Sequence, residues 1–181
     1  MRNEEEVLQS GPSVAGPPAV PVDALNWYTP VRFDPALLRK LIEQHEKLDE
    51  RVASLPNLFG RDRAEALKTA QVCAGQLHEL RRQEALWIYP VMARHFAGDA
   101  GAHRQVLNLR FVMNGLARRV LRAIDDLARA MRLASDVAAA AAAVVRALTE
   151  YRQRNEAELY TLYSLMDPRQ PRSAAARVHS R

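Results

Sequence analysis

Apolar residues recur every three or four positions along Val106, Leu109, Met113, Leu116, Val120, Ile124, Leu127 and Met131. A face sustained over so many turns suits only a long amphipathic helix buried along one side. Three other segments carry the same period, and none alternates as a half-buried strand would. One runs through Leu38, Leu41, His45, Leu48, Val52 and Leu55, another through Leu77, Leu80, Glu84, Trp87 and Val91, and the last through Ala141, Val144, Leu148, Tyr151, Asn155, Leu159 and Leu162. Four such faces bury one another as an all-α, antiparallel up-down-up-down four-helix bundle.

Punctuation between the faces gives the boundaries. Asp34-Pro35 is a helix start, because Asp accepts hydrogen bonds from first-turn amides and Pro is pre-set for the first helical position. The first helix is expected to run to about Leu55, where Pro56 and Gly60 break it. Asp62 and Glu65 form a capping-box-like opening for the second, which runs to about Phe96. Gly98 and Gly101 separate the second from the third, Ser135 or Asp136 caps the fourth, and Pro168 stops it. The alanines of 138–143 favour helix and allow close helix approach.

This gives a bundle over residues 34–167, flanked by a Pro/Gly-rich arm at 1–33 and an Arg-rich tail at 168–181. The arm opens on Glu4 to Glu6 and cannot bury enough apolar surface to fold alone, although Trp27, Tyr28 and Phe33 near its end are suited to packing on the bundle. In the tail after Asp167, Arg169, Arg172, Arg177 and Arg181 stand without an acid, which localises part of the net charge of +5; such a tail could touch nucleic acid, acidic proteins or a membrane surface. The bland reading is a solubilising tail. With 181 residues and 48% hydrophobic composition there is material for one real core.

The longest apolar run, Val137 to Val145, is far short of a bilayer span, and the N-terminus lacks a secretory pattern. The expectation is a cytoplasmic protein with no membrane partner. One cysteine, Cys73, rules out an internal disulfide and a Cys-rich metal site within the chain. No glycine-rich phosphate loop or nucleophile elbow appears, so the chain is not expected to be an enzyme. Arg118, Arg119, Arg122, Arg152 and Arg154 lack interleaved aromatics and read as solvated helix faces rather than a nucleic-acid surface, which leaves a protein partner as the expected kind of interaction.

Two residues break the apolar faces. His45 and Glu84 are ionisable, and a carboxylate facing a core has to be paired, coordinated or neutralised. Glu156, on the fourth helix, is the third candidate ligand for a single metal site. The competing arrangement leaves no metal: Leu80, Met113 and Tyr151 fill the space with apolar volume, His45 and Glu84 pair by hydrogen bonding, and Tyr151 with Asn155 completes the network. Remaining arrangements turn Glu84 to solvent or set the stripe one residue out of register. His78 falls on another face of its helix, His95 and His103 flank the Gly98–Gly101 turn, and His179 lies in the tail.

The segment Asp34 to Glu46, with His45, resembles the first helix of hemerythrin-like (HHE) domains, in which that His is a metal ligand. Leu80 to Pro90 is similar to the second-helix motif of that family, with Glu84 on its Glu and Leu80 in place of its His. Tyr151 to Tyr160 resembles the fourth-helix motif, with Tyr151 in place of its His. The third helix has no histidine between Phe111 and Arg118, where the family usually has further ligands. The resemblance, over about residues 34–166, implies a hemerythrin-like fold with a degenerate metal site. It further implies loss of most di-iron ligands, no cofactor, and a regulatory or protein-interaction role. The alternative it implies is a sensor or carrier of oxygen, nitric oxide or redox state, holding iron or another divalent metal at His45, Glu84 and Glu156.

Overall fold

A computed structural model describes residues 32–169 of the chain. All regular structure among them is helical: α1 (Pro35–Arg61), α2 (Arg63–Gln83), a π-helical segment (Glu84–Ile88), α3 (Tyr89–His95), α4 (Ala100–Leu133), α5 (Val137–Arg154), a second π-helical segment (Asn155–Tyr160) and α6 (Thr161–Ser164). The π segments are continuous with the helices on either side, so there are four rods. Each rod adjoins the next in sequence, and the fourth adjoins the first. Their inward faces meet in one core, with Leu41, Leu48, Leu77, Ile124, Leu127 and Leu148 each fully buried or nearly so. No helix of the described residues is long and apolar enough to cross a membrane. The arm residues Glu4 to Glu6, Trp27 and Tyr28 and the tail residues Arg172, Arg177, His179 and Arg181 lie outside the described part.

The caps form as their chemistry requires. The Asp34 carboxylate accepts from the Ala36 amide at 2.8 Å, Asp62 from Glu65 at 3.0 Å and Asp136 from Ala139 at 3.2 Å. Asp99 accepts from Gly101 and Ala102, so Gly101 lies in the first turn of α4 rather than in the separating loop.

Pro56 does not end the first helix, which continues to Arg61. A proline inside a helix costs about 3 kcal/mol or more. Leu58 and Phe59 beyond it pack on the core, and burying such side chains contributes roughly 1.5–3 kcal/mol each when complete, enough to offset much of that cost.

The two π segments shift the inward face by a residue. Trp87, inward on a straight 3.6-residue period, is 46% exposed, while Ile88 and Tyr89 are buried. Likewise Tyr163 is buried in place of Leu162, which is only partly covered. Pro90 gives the first widening a local cause, since its ring has no N–H for the Leu86 carbonyl and would collide with it in a regular α turn. The amide of Tyr89 instead donates to the Glu84 carbonyl, five residues back.

Side chains tie the rods together. The Asp34 amide donates to the Tyr163 hydroxyl at 2.9 Å, and Phe33 lies against the Tyr163 ring with centroids 4.9 Å apart. Arg119 pairs with Glu150 at 3.0 Å, Arg152 with Asp49, and Arg63 donates to the Arg132 carbonyl.

Candidate functional site

Glu84 opens the first π segment and is 2% exposed; His45, on α1, is 1% exposed. Helical spacing places each in line with leucines, so packing of the apolar neighbours carries both into the core. The rods bring His45 Nε2 to 4.0 Å from Glu84 Oε1. That is too long for a hydrogen bond, so the expected direct pair is replaced by a looser approach. The hydrogen bonds to Glu84 come instead from the fourth rod. Tyr151 donates to Oε2 at 2.9 Å and Tyr160 to Oε1 at 3.4 Å. Both tyrosine rings flank the imidazole, with centroids 5.4 and 6.2 Å from it.

Electrostatics fixes the direction of those bonds. Burial first, and then the nearby Glu84 carboxylate, push the Tyr151, Tyr160 and Tyr89 phenols well above the ordinary tyrosine range. They are neutral donors at physiological pH. Asn155 is fully buried beside the Tyr151 hydroxyl, close enough to temper its rise, but neither amide atom completes a hydrogen bond. Both ring nitrogens of His45 and the Tyr89 hydroxyl are also buried without a hydrogen-bond partner. Each such group costs about 1–3 kcal/mol if nothing satisfies it. The core therefore holds a concentrated polar cluster.

Of the three candidate ligands, the fold unites two. Glu156 is exposed and its carboxylate lies 3.5 Å from Nε of Arg152, whose Nη1 serves Asp49. Asn155 takes the inward position at the start of the second π segment, and Glu156, one residue on, is rotated to the surface. His78 and His95 are exposed and His103 is partly covered, as their positions outside the inward faces require. Leu80 and Met113 are buried, at 1% and 2% exposure.

Tyr160 and Tyr89 are the cluster members that helical periodicity misses. Each stands five residues after an inward polar residue, Asn155 and Glu84, a spacing that diverges on an α-helix and converges on a π-helix. Pro90 is the signal for Tyr89 and the first π segment. The second has no proline.

The donor set is one imidazole, one carboxylate, three neutral phenols and a carboxamide. Among the described residues no three His, Cys, Asp or Glu side chains are grouped to hold an ion. A di-iron centre, with its demand for histidines and bridging carboxylates, does not fit. One cation bridging His45 and Glu84 at this separation departs from tetrahedral geometry. Ligand atoms 4.0 Å apart and each about 2.1 Å from an ion subtend about 145°, against about 109° for tetrahedral zinc. No family model, no curated protein and no solved structure matches the chain.

Proposed function

We propose that the chain is a hemerythrin-like domain of up-down-up-down order that has lost most of its di-iron ligands and works as a non-enzymatic regulatory or protein-interaction module. The observation that carries this reading is the Glu84 carboxylate, both of whose oxygens accept from tyrosine hydroxyls while Leu80 and Met113 are buried in the apolar core. A hydrogen-bonded carboxylate needs no cation to be stable in a core. His45 and Glu84, at 1% and 2% exposure, are not presented at the surface. A cytoplasmic location is in keeping with Cys73, a buried free thiol. The test is the iron, zinc and manganese content of freshly purified protein. Substoichiometric metal is the expected result; near-stoichiometric di-iron with an oxo-bridge absorption overturns the reading.

A second reading has its own support in the His45 nitrogens, which lack hydrogen-bond partners and of which Nε2 faces Glu84. It is a redox, oxygen or nitric oxide sensor holding one divalent cation, iron or another, between His45 and Glu84, with Asn155 as a neutral oxygen donor. Bound there, the ion would supply a site for a diatomic ligand. Under this reading His45→Ala abolishes metal content while the helical circular dichroism is retained. Unchanged content in that variant rejects it.

A further inference from the structure

The outer face of α4 carries an apolar pair that the bundle core does not use. Phe111 is 72% exposed and Leu107 51%, and at a spacing of four residues they are neighbours on one helix face. Lone exposed apolar side chains are common, but a phenylalanine this exposed next to a leucine makes a contiguous patch. Gly115 stands one turn beyond Phe111. A Cβ there would meet nothing within 4 Å, so no contact within the chain requires the glycine, although glycine weakens a helix interior relative to alanine. The helix surface falls away beside Phe111, which leaves room for another backbone to come close.

Charge of one sign surrounds the patch. Arg104 and Arg118 continue its stripe at helical spacing, Arg110 adjoins Phe111 in sequence, and Arg81 reaches α4 from the second rod. All four are held by neutral partners. Arg104 Nε donates to the Ala100 carbonyl at 3.3 Å and Arg118 Nε to the Asn114 carbonyl at 3.2 Å. Arg81 donates to the Asn114 side chain at 2.8 Å, and the Arg110 guanidinium lies 5.8 Å from the centre of the Tyr89 ring. Carboxylates are scarce around them. α4 has no acid from Ala100 to Ile124, and between Leu80 and Gly98 the only one is the buried Glu84. On the fourth rod Glu150 and Glu158 are already taken by Arg119 and Arg154.

We propose that this face of α4 docks an acidic amphipathic helix of a protein partner. The apolar side of that helix covers Leu107 and Phe111, its backbone passes over Gly115, and its carboxylates meet the four arginines. A second copy of the chain does not suit this face, because a twofold apposition sets arginine against arginine. A single aromatic ring also gives no platform for stacking successive bases. The proposal supplies the partner chemistry for the interaction-module reading, and it rests on that reading.

The probe is a fluorescein-labelled peptide of about 16 residues, with leucine and phenylalanine on one helical face and glutamate on the other. It is titrated into the full chain and followed by fluorescence anisotropy. Saturable binding that weakens as salt is raised is expected. Phe111→Ser, at an exposed position, should weaken binding about tenfold or more and leave the helical circular dichroism unchanged. Gly115→Gln places a side chain in open space, so it should fold as the parent does and weaken binding by about the same factor. The same peptide with glutamine in place of glutamate should bind about tenfold more weakly. The proposal is overturned by no saturable binding at millimolar peptide, by unchanged affinity in Phe111→Ser, or by equal binding of the two peptides. Tighter Phe111-dependent binding of phosphatidylserine vesicles or of a single-stranded oligonucleotide overturns it as well. Iron, zinc and manganese are measured on the same sample. Near-stoichiometric di-iron overturns the interaction-module reading, whereas failure of peptide binding on metal-poor protein overturns the docking face alone.

Discussion

Removing one oxygen atom from the core tests how Glu84 is held. In Tyr151→Phe the ring stays and fills the same space, but the 2.9 Å donor to Oε2 is lost. Tyr160, at 3.4 Å from the other oxygen, is too distant to replace it. A hydrogen bond to a charged group contributes about 1.5–3 kcal/mol, and Tyr151 is fully buried, so solvent cannot take over the role. The expected loss is about 2 kcal/mol, which for a chain of this length lowers Tm by about 4–8 °C. Urea denaturation followed by helical circular dichroism measures the free energy, and the slope with urea should not change. The control is the same substitution in a Glu84→Met background, where the hydroxyl has no carboxylate to serve and its loss should cost less than about 1 kcal/mol. A Tyr151→Phe protein within about 0.5 kcal/mol of the parent, or an equal loss in both backgrounds, would refute the argument that this hydroxyl holds Glu84.

Other outcomes can be read with simple assays. Ala134 ends α4 in the left-handed region at φ 52°, with the Ser135 amide returning to the Ala130 carbonyl at 3.0 Å, so Ala134→Gly should stabilise the fold by about 1 kcal/mol in chemical denaturation. Tyr89, Tyr151 and Tyr160 hold their protons in the fold past the pH, about 10, at which an unfolded tyrosine releases them. Their contribution to stability is therefore whole below about pH 10 and declines as pH rises beyond it. Tyrosinate absorbance at high pH should show these three ionising only together with loss of helix. Burial pushes the Cys73 thiol up to about 11, against a smaller lowering by Arg51, so a disulfide reagent at neutral pH should react with it at the rate of unfolding rather than at the rate of a free thiol. Asp34→Ala removes the cap of α1 and should cost about 1 kcal/mol in the same denaturation assay.

The helices were legible because their information is local. Asp34, Asp62 and Asp136 cap where a short polar residue precedes an apolar period, and the α4 face from Val106 to Met131 is buried as its spacing requires. Pro56 misled because its local cost is outweighed by packing that depends on residues distant in sequence. Trp87 and Leu162 misled for a related reason: a π turn adds one residue to a face, and no count at 3.6 residues per turn reveals it. Tyr160 and Tyr89 were hidden by the same change of period.

What the sequence determined alone is the set of long amphipathic helices, their caps, and the presence of His45 and Glu84 on inward faces. Those properties follow from the spacing of apolar side chains and from hydrogen bonds within a few residues. The tertiary structure decided what meets what. It put Tyr151 and Tyr160 on the carboxylate, left His45 at 4.0 Å, and turned Glu156 outward to Arg152. A distance between groups on different rods depends on how four helices pack and where two of them widen, and that is fixed only when all their side chains compete for the same interior.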